Sequence, residues 1–378
     1  MARSGVTSPN TLSRLSVGLV ATALLLVAAC SDDDDTGGES SPSGTAASEA
    51  TTPAASEATA PPTATATAGP ASGVLEELLE LSSGFDQVSV WGRDPGGVRL
   101  EAPNGLTIDA AGNVYVTEFQ GGHLRKFSPD GELLLDAAGA GAEPGMLANP
   151  IGVAVDADGT IYVSESGASR VSRFAPDGTF IVAFGSSGGE PGQFRSAMGI
   201  AVSDAFEVFV ADFGNHRVQV FDRDGAFLRS WGGPRSGPDQ LNNPIGLQIG
   251  PQGNVWVVDS GNERVQVFTQ QGELVRGFAD VGPGPQIVSL NAAGDFYVSS
   301  PWAEGRIRRF SPDGDLLGHV GSSVTNEELA RMTTEEAASV AEWSTLAGPH
   351  GTATHPSGTV YVADTANGIV RRFEPVKD

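Results

Sequence analysis

The stretch Val208-Phe209-Val210-Ala211-Asp212-Phe213-Gly214-Asn215-His216-Arg217-Val218-Gln219-Val220-Phe221 reads as two apolar strands joined by a tight polar turn, and it is one copy of a recurring unit. Its last residue belongs to a series, Phe127, Phe174, Phe221 and Phe268, spaced 47 residues apart, and its acid to a second series at the same spacing, Glu118, Glu165, Asp212 and Asp259. A fifth copy ends at Phe310 and a sixth at Phe373. Each copy carries an aromatic at one place in a hydrophobic strand: Tyr115, Tyr162, Phe209, Trp256, Tyr297 and Tyr361. A fixed period of this length marks a repeat architecture.

The second copy shows the content of one unit. Gly152 to Val155, Thr160 to Ser164, Arg170 to Phe174 and Thr179 to Phe184 read as strands, with turns at Asp156-Ala157-Asp158-Gly159 and Ala175-Pro176-Asp177-Gly178. Glycine accepts the positive φ of such turns and proline presets the corner. Four antiparallel strands that are apolar on both faces need cover on both sides, and blades set around a central channel provide it. The sixth copy stops before its outermost strand, whereas Phe85-Asp86-Gln87-Val88-Ser89-Val90-Trp91-Gly92 matches the outer strand Phe227-Leu228-Arg229-Ser230-Trp231-Gly232. The N-terminal strand is therefore expected to complete the last blade and remove the open edge.

Asn149-Pro150-Ile151-Gly152-Val153-Ala154-Val155-Asp156, together with the Val208 to Phe221 stretch, resembles the NHL-repeat family. The resemblance runs from about residue 85 to 378 and implies an all-β, six-bladed β-propeller. Some propellers similar to this one are enzymes. Peptidyl-hydroxyglycine lyases hold zinc with histidines that open inner strands; the matching positions here are Asn104, Ile151, Met198, Ile245, Gln286 and His350, with one histidine among six. Lactonase-type propellers place acid and amide ligands around an ion in the channel, a role to which Asn104 and Gln286 could contribute.

The acids Glu118, Glu165, Asp212, Asp259 and Asp364 end the second strand of five blades. A ring of carboxylates suggests a cation site, but a residue that recurs in nearly every repeat more simply serves the repeat. Arg170, Arg217 and Arg264, five residues later, stand ready as partners. Blade five breaks the rule with Ser299-Ser300-Pro301-Trp302. His350 opens the inner strand of blade six and His355 ends it, roughly 16 Å away at about 3.3 Å per residue, too far to share an ion. His123 and His216 read as loop residues and His319 as part of an outer strand. No metal site, catalytic set or cofactor is expected.

Outside the ring the sequence changes character. Arg3 and Arg14 precede the apolar run Leu15 to Ala29, and Leu26-Val27-Ala28-Ala29-Cys30 resembles a bacterial lipobox. Residues 1–29 read as a lipoprotein signal peptide with Cys30 as the lipidated residue, since about fifteen apolar residues fall short of the ~20 that span a bilayer. Several acyl chains on one residue anchor stably. Residues 30–84, rich in Ala, Thr, Ser, Pro and acid, read as a disordered stalk with a short helix at 74–81. Between blades five and six, residues 322–348 exceed what the repeat requires. Two capping boxes predict helices over Asn326 to Met332 and Glu335 to Trp343.

The chain of 378 residues carries 46 acids and 22 bases; ten of those acids and two of those bases precede Phe85, which leaves the ring with 36 and 20 and a net charge of −16. Such a balance disfavours nucleic acids and anionic lipid surfaces, both of which demand cations. The single cysteine excludes an intrachain disulfide. Together these readings give the expectation of a monomeric, lipid-anchored module on the extracytoplasmic face of a bacterial cell envelope, touching the membrane only through Cys30. It would bind or sense a protein, peptide or glycan through Trp302, Trp343, His350, Asn104 and Gln286. The alternative is a metal-dependent hydrolase or lyase, lactonase-like or peptidyl-hydroxyglycine lyase-like, with its site at the channel mouth.

Overall fold

A computed structural model describes residues 85–92, 98–233, 237, 239–302, 305–320, 346 and 348–376. The signal peptide, Cys30, the stalk with its helix at 74–81, Trp343 and the two helices of the insertion lie outside the described residues.

Six four-stranded antiparallel sheets form the blades of a propeller. Blade one comprises Pro103–Ile108, Val114–Glu118, His123–Phe127 and Leu133–Ala138; blade two comprises Pro150–Val155, Ile161–Glu165, Arg170–Phe174 and Phe180–Phe184. Blade three comprises Ala197–Val202, Val208–Asp212, Arg217–Phe221 and Phe227–Gly232; blade four comprises Pro244–Ile249, Val255–Asp259, Arg264–Phe268 and Leu274–Phe278. Ile287–Leu290, Phe296–Ser300, Arg306–Phe310 and Leu316–His319 make blade five. The last blade is built from both ends of the ring: Pro349–Thr354, Val360–Asp364, Ile369–Pro375 and the N-terminal strand Phe85–Trp91. Each inner strand lies beside the inner strand of the next blade, and that of blade six lies beside that of blade one, so the ring is closed.

Closure rests on register and on packing. Phe85 pairs with Pro375 and Trp91 with Val370, with one bulge between Gln87 and Ser89. Arg371 Nη1 donates to Gln87 Oε1 at 2.9 Å. Trp91 is buried and stacks on Phe127 of blade one (6.0 Å between ring centroids, 26°) while touching Tyr361 of blade six (5.4 Å). One side chain of the closing strand thus joins the last blade to the first, and aromatic pairs of this kind add to the area they bury.

The repeated aromatics explain why six sheets hold together. Tyr115, Tyr162, Phe209, Trp256, Tyr297 and Tyr361 are all buried; five of them pack in the layers between blades against apolar residues of two blades, and Phe209 meets Trp231 edge-on. The turn glycine after the third strand then receives the outer strand of the preceding blade. A Cβ on Gly272 (φ +91°) would come within 2.7 Å of the Trp231 ring, so both its φ and its contact require glycine there. His123, read as a loop residue, instead begins the third strand of blade one, where its Nδ1 lies 2.8 Å from Asp136 Oδ1.

Candidate functional site

The five recurring acids are fully buried at the ends of the second strands. In blade three, Asp212 Oδ1 accepts from the Arg195 backbone N–H (2.8 Å), and Oδ2 accepts from Asn215 Nδ2 (2.8 Å), Arg217 Nε (2.8 Å) and Gln219 Nε2 (3.1 Å). Asp259 repeats the arrangement with Asn242, Asn262, Arg264 and Gln266. Glu165 holds the Ala148 amide, Arg170 and Ser172. In blades one and six the guanidinium comes instead from Arg125 and Arg371, seven residues after the acid. Burial raises the Glu118 and Asp212 carboxyls above the usual range, opposed by the amides and guanidinium groups around them. The carboxylates therefore tie loop, second strand and third strand together, as a residue that serves the repeat should.

A second recurring device surrounds the channel. Gly105, Gly152, Gly199, Gly246 and Gly351 each face a backbone carbonyl of the next blade's inner strand, and a Cβ on Gly199 would lie 2.3 Å from Ile245 O. In blades one, two and five a hydroxyl of the second strand donates to such a carbonyl: Thr117 to Ile151 O (2.9 Å), Ser164 to Met198 O, and Ser299 to His350 O (2.9 Å). The channel encloses a cavity of about 210 Å³ walled by inner-strand backbone and short side chains, among them Thr107, Gln248, Thr352 and Thr354. Of the six strand-opening positions, Ile151 lines this cavity, while Asn104, Met198, Ile245, Gln286 and His350 do not. These five sit at the rim.

Blade five departs from the pattern at several linked points. Ile287 stands where the other inner strands have glycine, and its strand pairs from Ile287↔Ser299 to Leu290↔Phe296 without the register shift seen in the other five. Ser300 takes the place of the acid. Pro283, seventeen residues earlier, stands where Glu101, Ala148, Arg195 and Asn242 donate their amides to the acids of blades one to four, and proline has no N–H to give. Acid and donor are lost together.

Trp302, on the turn that follows Ser300, is 50% exposed and meets the His350 ring edge-on, with centroids 4.7 Å apart at 71°. His350 itself is 4% exposed, and burial alone lowers its pKa from 6.5 to about 4, so the imidazole is neutral at pH 7. Its Nε2 has no hydrogen-bond partner, and neither have Ser300 Oγ and Thr352 Oγ1, all three buried. Buried polar atoms are normally paired, so these three orphans call for an explanation; Ser299 faces His350 across the blade five to six seam, and Ser300, next along the strand, faces the other way.

Of the residues expected to bind ligand, Trp302 and His350 are therefore brought into contact. Asn104 is buried near the start of its inner strand, and Gln286 is half-buried just before its own. The loss of the acid at Ser300 was read from the sequence, whereas Thr352 and Pro283 were not singled out; comparing each blade position by position would have found Pro283. Among the described residues no group of three His, Cys, Asp or Glu is placed to hold a metal ion.

The NHL repeat model matches residues 147–174, 194–221, 241–268 and 346–373, which fall in blades two, three, four and six. No curated protein matches the sequence. Among solved structures, a streptogramin B lyase superposes with a TM-score of 0.53 at 14% identity, over 78% of this chain and 99% of that one. Virginiamycin B lyase from Staphylococcus aureus gives 0.52 at 15%, over 77% and 99%. A gluconolactonase from Xanthomonas campestris gives 0.53 at 16%, over 73% and 87%. At these identities the likeness is one of fold. The chain is a six-bladed β-propeller, four of whose blades match the NHL repeat, its ring closed by the N-terminal strand.

Proposed function

We propose that this propeller is a binding or sensing module for a protein, peptide or glycan, held by a lipidated Cys30 on the extracytoplasmic face of a bacterial cell envelope. The observation that carries the binding reading is Trp302, a large aromatic left half in solvent at the rim beside a buried, neutral histidine. Aromatic anchors next to a desolvated pocket are the usual centres of binding energy, and loops on a rigid scaffold are where specificity is placed. The recurring acids support the same reading by a different route, because their oxygens are occupied by amides and guanidinium groups of the ring itself. The anchor reading rests on sequence alone, on the lipobox-like residues ending at Cys30.

Capture from detergent-solubilised envelope extract tests the binding reading. Full-length protein should retain a specific partner that Trp302→Ala does not retain. Stoichiometric zinc or calcium that survives dialysis would turn the reading toward a metal-dependent hydrolase or lyase, the activity class that the lyase and gluconolactonase neighbours keep in view. Cys30→Ala should release the protein from membranes, and lipid labelling that persists in that variant would contradict the anchor.

A further inference from the structure

The geometry points to an anion site on the face of blade five turned toward blade four, where Ser300, Arg306 and Arg308 take a ligand's carboxylate in the place of the missing side-chain acid. This goes beyond the Trp302 reading, since Trp302 meets His350 on the blade six side.

Each third strand has two residues, four and two before its closing phenylalanine, that stand across from the end of the second strand. In blade three they are Arg217 and Gln219, in blade four Arg264 and Gln266, and every blade except the fifth has one arginine there beside one acid. Blade five has two arginines, Arg306 and Arg308, and a serine where the acid would be. Ser300 pairs directly with Arg306, Val298 with Arg308 and Phe296 with Phe310, with no shift of register. Cross-strand partners and alternate residues share a face, and Phe296, Val298 and Phe310 pack in one core layer with Trp256 and Phe278 of blade four. Ser300, Arg306 and Arg308 therefore stand together on that face. Arg308 Nη1 approaches Val281 O (3.4 Å) and abuts Gly282, which sets its guanidinium against the loop where Pro283 has replaced the donor amide. Ser300 is fully buried and its Oγ has no partner.

Blade three shows what fits at these places. Asp212 Oδ2 accepts from Arg217 Nε at 2.8 Å and from Gln219 Nε2 at 3.1 Å. Arg217 also donates through Nη2 to Glu190 O and Gln193 O, at 2.9 Å each, so one guanidinium serves a carboxylate and loop carbonyls at once. With five N–H donors apiece, Arg306 and Arg308 can hold an incoming carboxylate beside the contacts they already make. The Ser300 hydroxyl adds a third donor. Such charge-assisted bonds are the strong ones, and the planar, singly charged group that the other blades accommodate here selects a carboxylate over a bulkier phosphate. The net −16 of the ring is spread over its surface and screened within about 8 Å at physiological ionic strength, so the guanidinium groups in contact with the ligand decide its sign.

Thermal melting and calorimetry of the full-length protein with sodium acetate, against sodium chloride at equal ionic strength, test the site. A tripeptide with a free C-terminus, beside its C-terminal amide, separates a peptide carboxylate from a small free one. Acetate or the free tripeptide should bind and raise the melting temperature, and the amide and chloride should not. Ser300→Asp returns the carboxylate to the chain: it should raise the melting temperature in chloride by about 2 to 4 °C and abolish the response. Arg308→Gln, which copies blades three and four, should weaken binding about ten- to hundredfold, the worth of one charge-assisted hydrogen bond. Arg195→Gln removes an exposed charge from the rim of blade three and should leave binding unchanged. No response to either carboxylate, an equal response to chloride, an equal loss in Arg195→Gln, or a Ser300→Asp protein that still responds overturns the site. If Ser300→Asp does not fold, the contrast between Arg308→Gln and Arg195→Gln decides.

Discussion

Blades three and five are copies of one unit put to different ends. In blade three the second strand ends on Asp212, which gathers an amide, an asparagine, an arginine and a glutamine around one carboxylate, and Gly199 lets the inner strand press against Ile245 O. In blade five the acid has become Ser300, the donor amide has become Pro283, the glycine has become Ile287, and the register shift is gone. A ring of six needs the first arrangement often enough to stay closed. It does not need it everywhere, and the blade that gives it up is the one that presents Trp302.

Asp212→Ala should do the most damage. It leaves Arg217 and the Arg195 amide with their carboxylate partner removed, at a cost of about 3 to 5 kcal/mol. Ser300→Ala, at the equivalent place in blade five, should stay within about 0.5 kcal/mol of wild type, because it deletes a hydroxyl that has no partner. Urea unfolding of the two variants side by side measures the contrast, and equal losses would break it.

His350 gives the next largest effect. Its folded pKa, about 4, lies below the ordinary 6.5, so the stability tied to the neutral ring is fully present above pH 6.5 and is lost as pH falls toward 4. At 1.36 kcal/mol per unit this amounts to about 3 kcal/mol at the acid end. The carboxyls of Glu118 and Asp212, raised by burial, contribute with the opposite sign, so the comparison to make is with His350→Phe. Denaturation followed from pH 7 to pH 4 should fall more steeply for wild type than for the variant.

Gly199→Ala should cost about 1 to 3 kcal/mol, since its Cβ meets backbone that cannot easily give way. Trp302→Ala should cost only about 1 kcal/mol by thermal melting, because half of the side chain is already in water. A large loss there would make Trp302 a packing residue.

Much of the ring was legible in the sequence because its signals are local and repeated. The 47-residue spacing of Phe127 to Phe268, the Asp-Gly turns, and the likeness of Phe85–Trp91 to Phe227–Gly232 each follow from chemistry that acts within one hairpin or one blade. The role of the acids was legible for the same reason, since Arg217 lies five residues from Asp212. The site was legible only in part. Trp302 and His350 could be assigned to one seam from connectivity, but the depth of His350 depends on packing between blades, which no local pattern encodes. The first residues of the inner strands were expected at the channel mouth, and all but Ile151 lie outside the lining of the channel cavity. Ser300 was legible as a break in the acid series, but Pro283, seventeen residues earlier, gains meaning only once Asp212 and the Arg195 amide have shown what that pair does elsewhere.

The difference between building blade and binding blade is tested most directly by amide hydrogen exchange on the full-length protein, with and without its captured partner. Protection should rise at the rim of blades five and six, around Gln286, Trp302 and His350, and stay unchanged over Ala197–Val202 and Val208–Phe221 of blade three. Protection that rises in blade three, or on the opposite face of the ring, would contradict it.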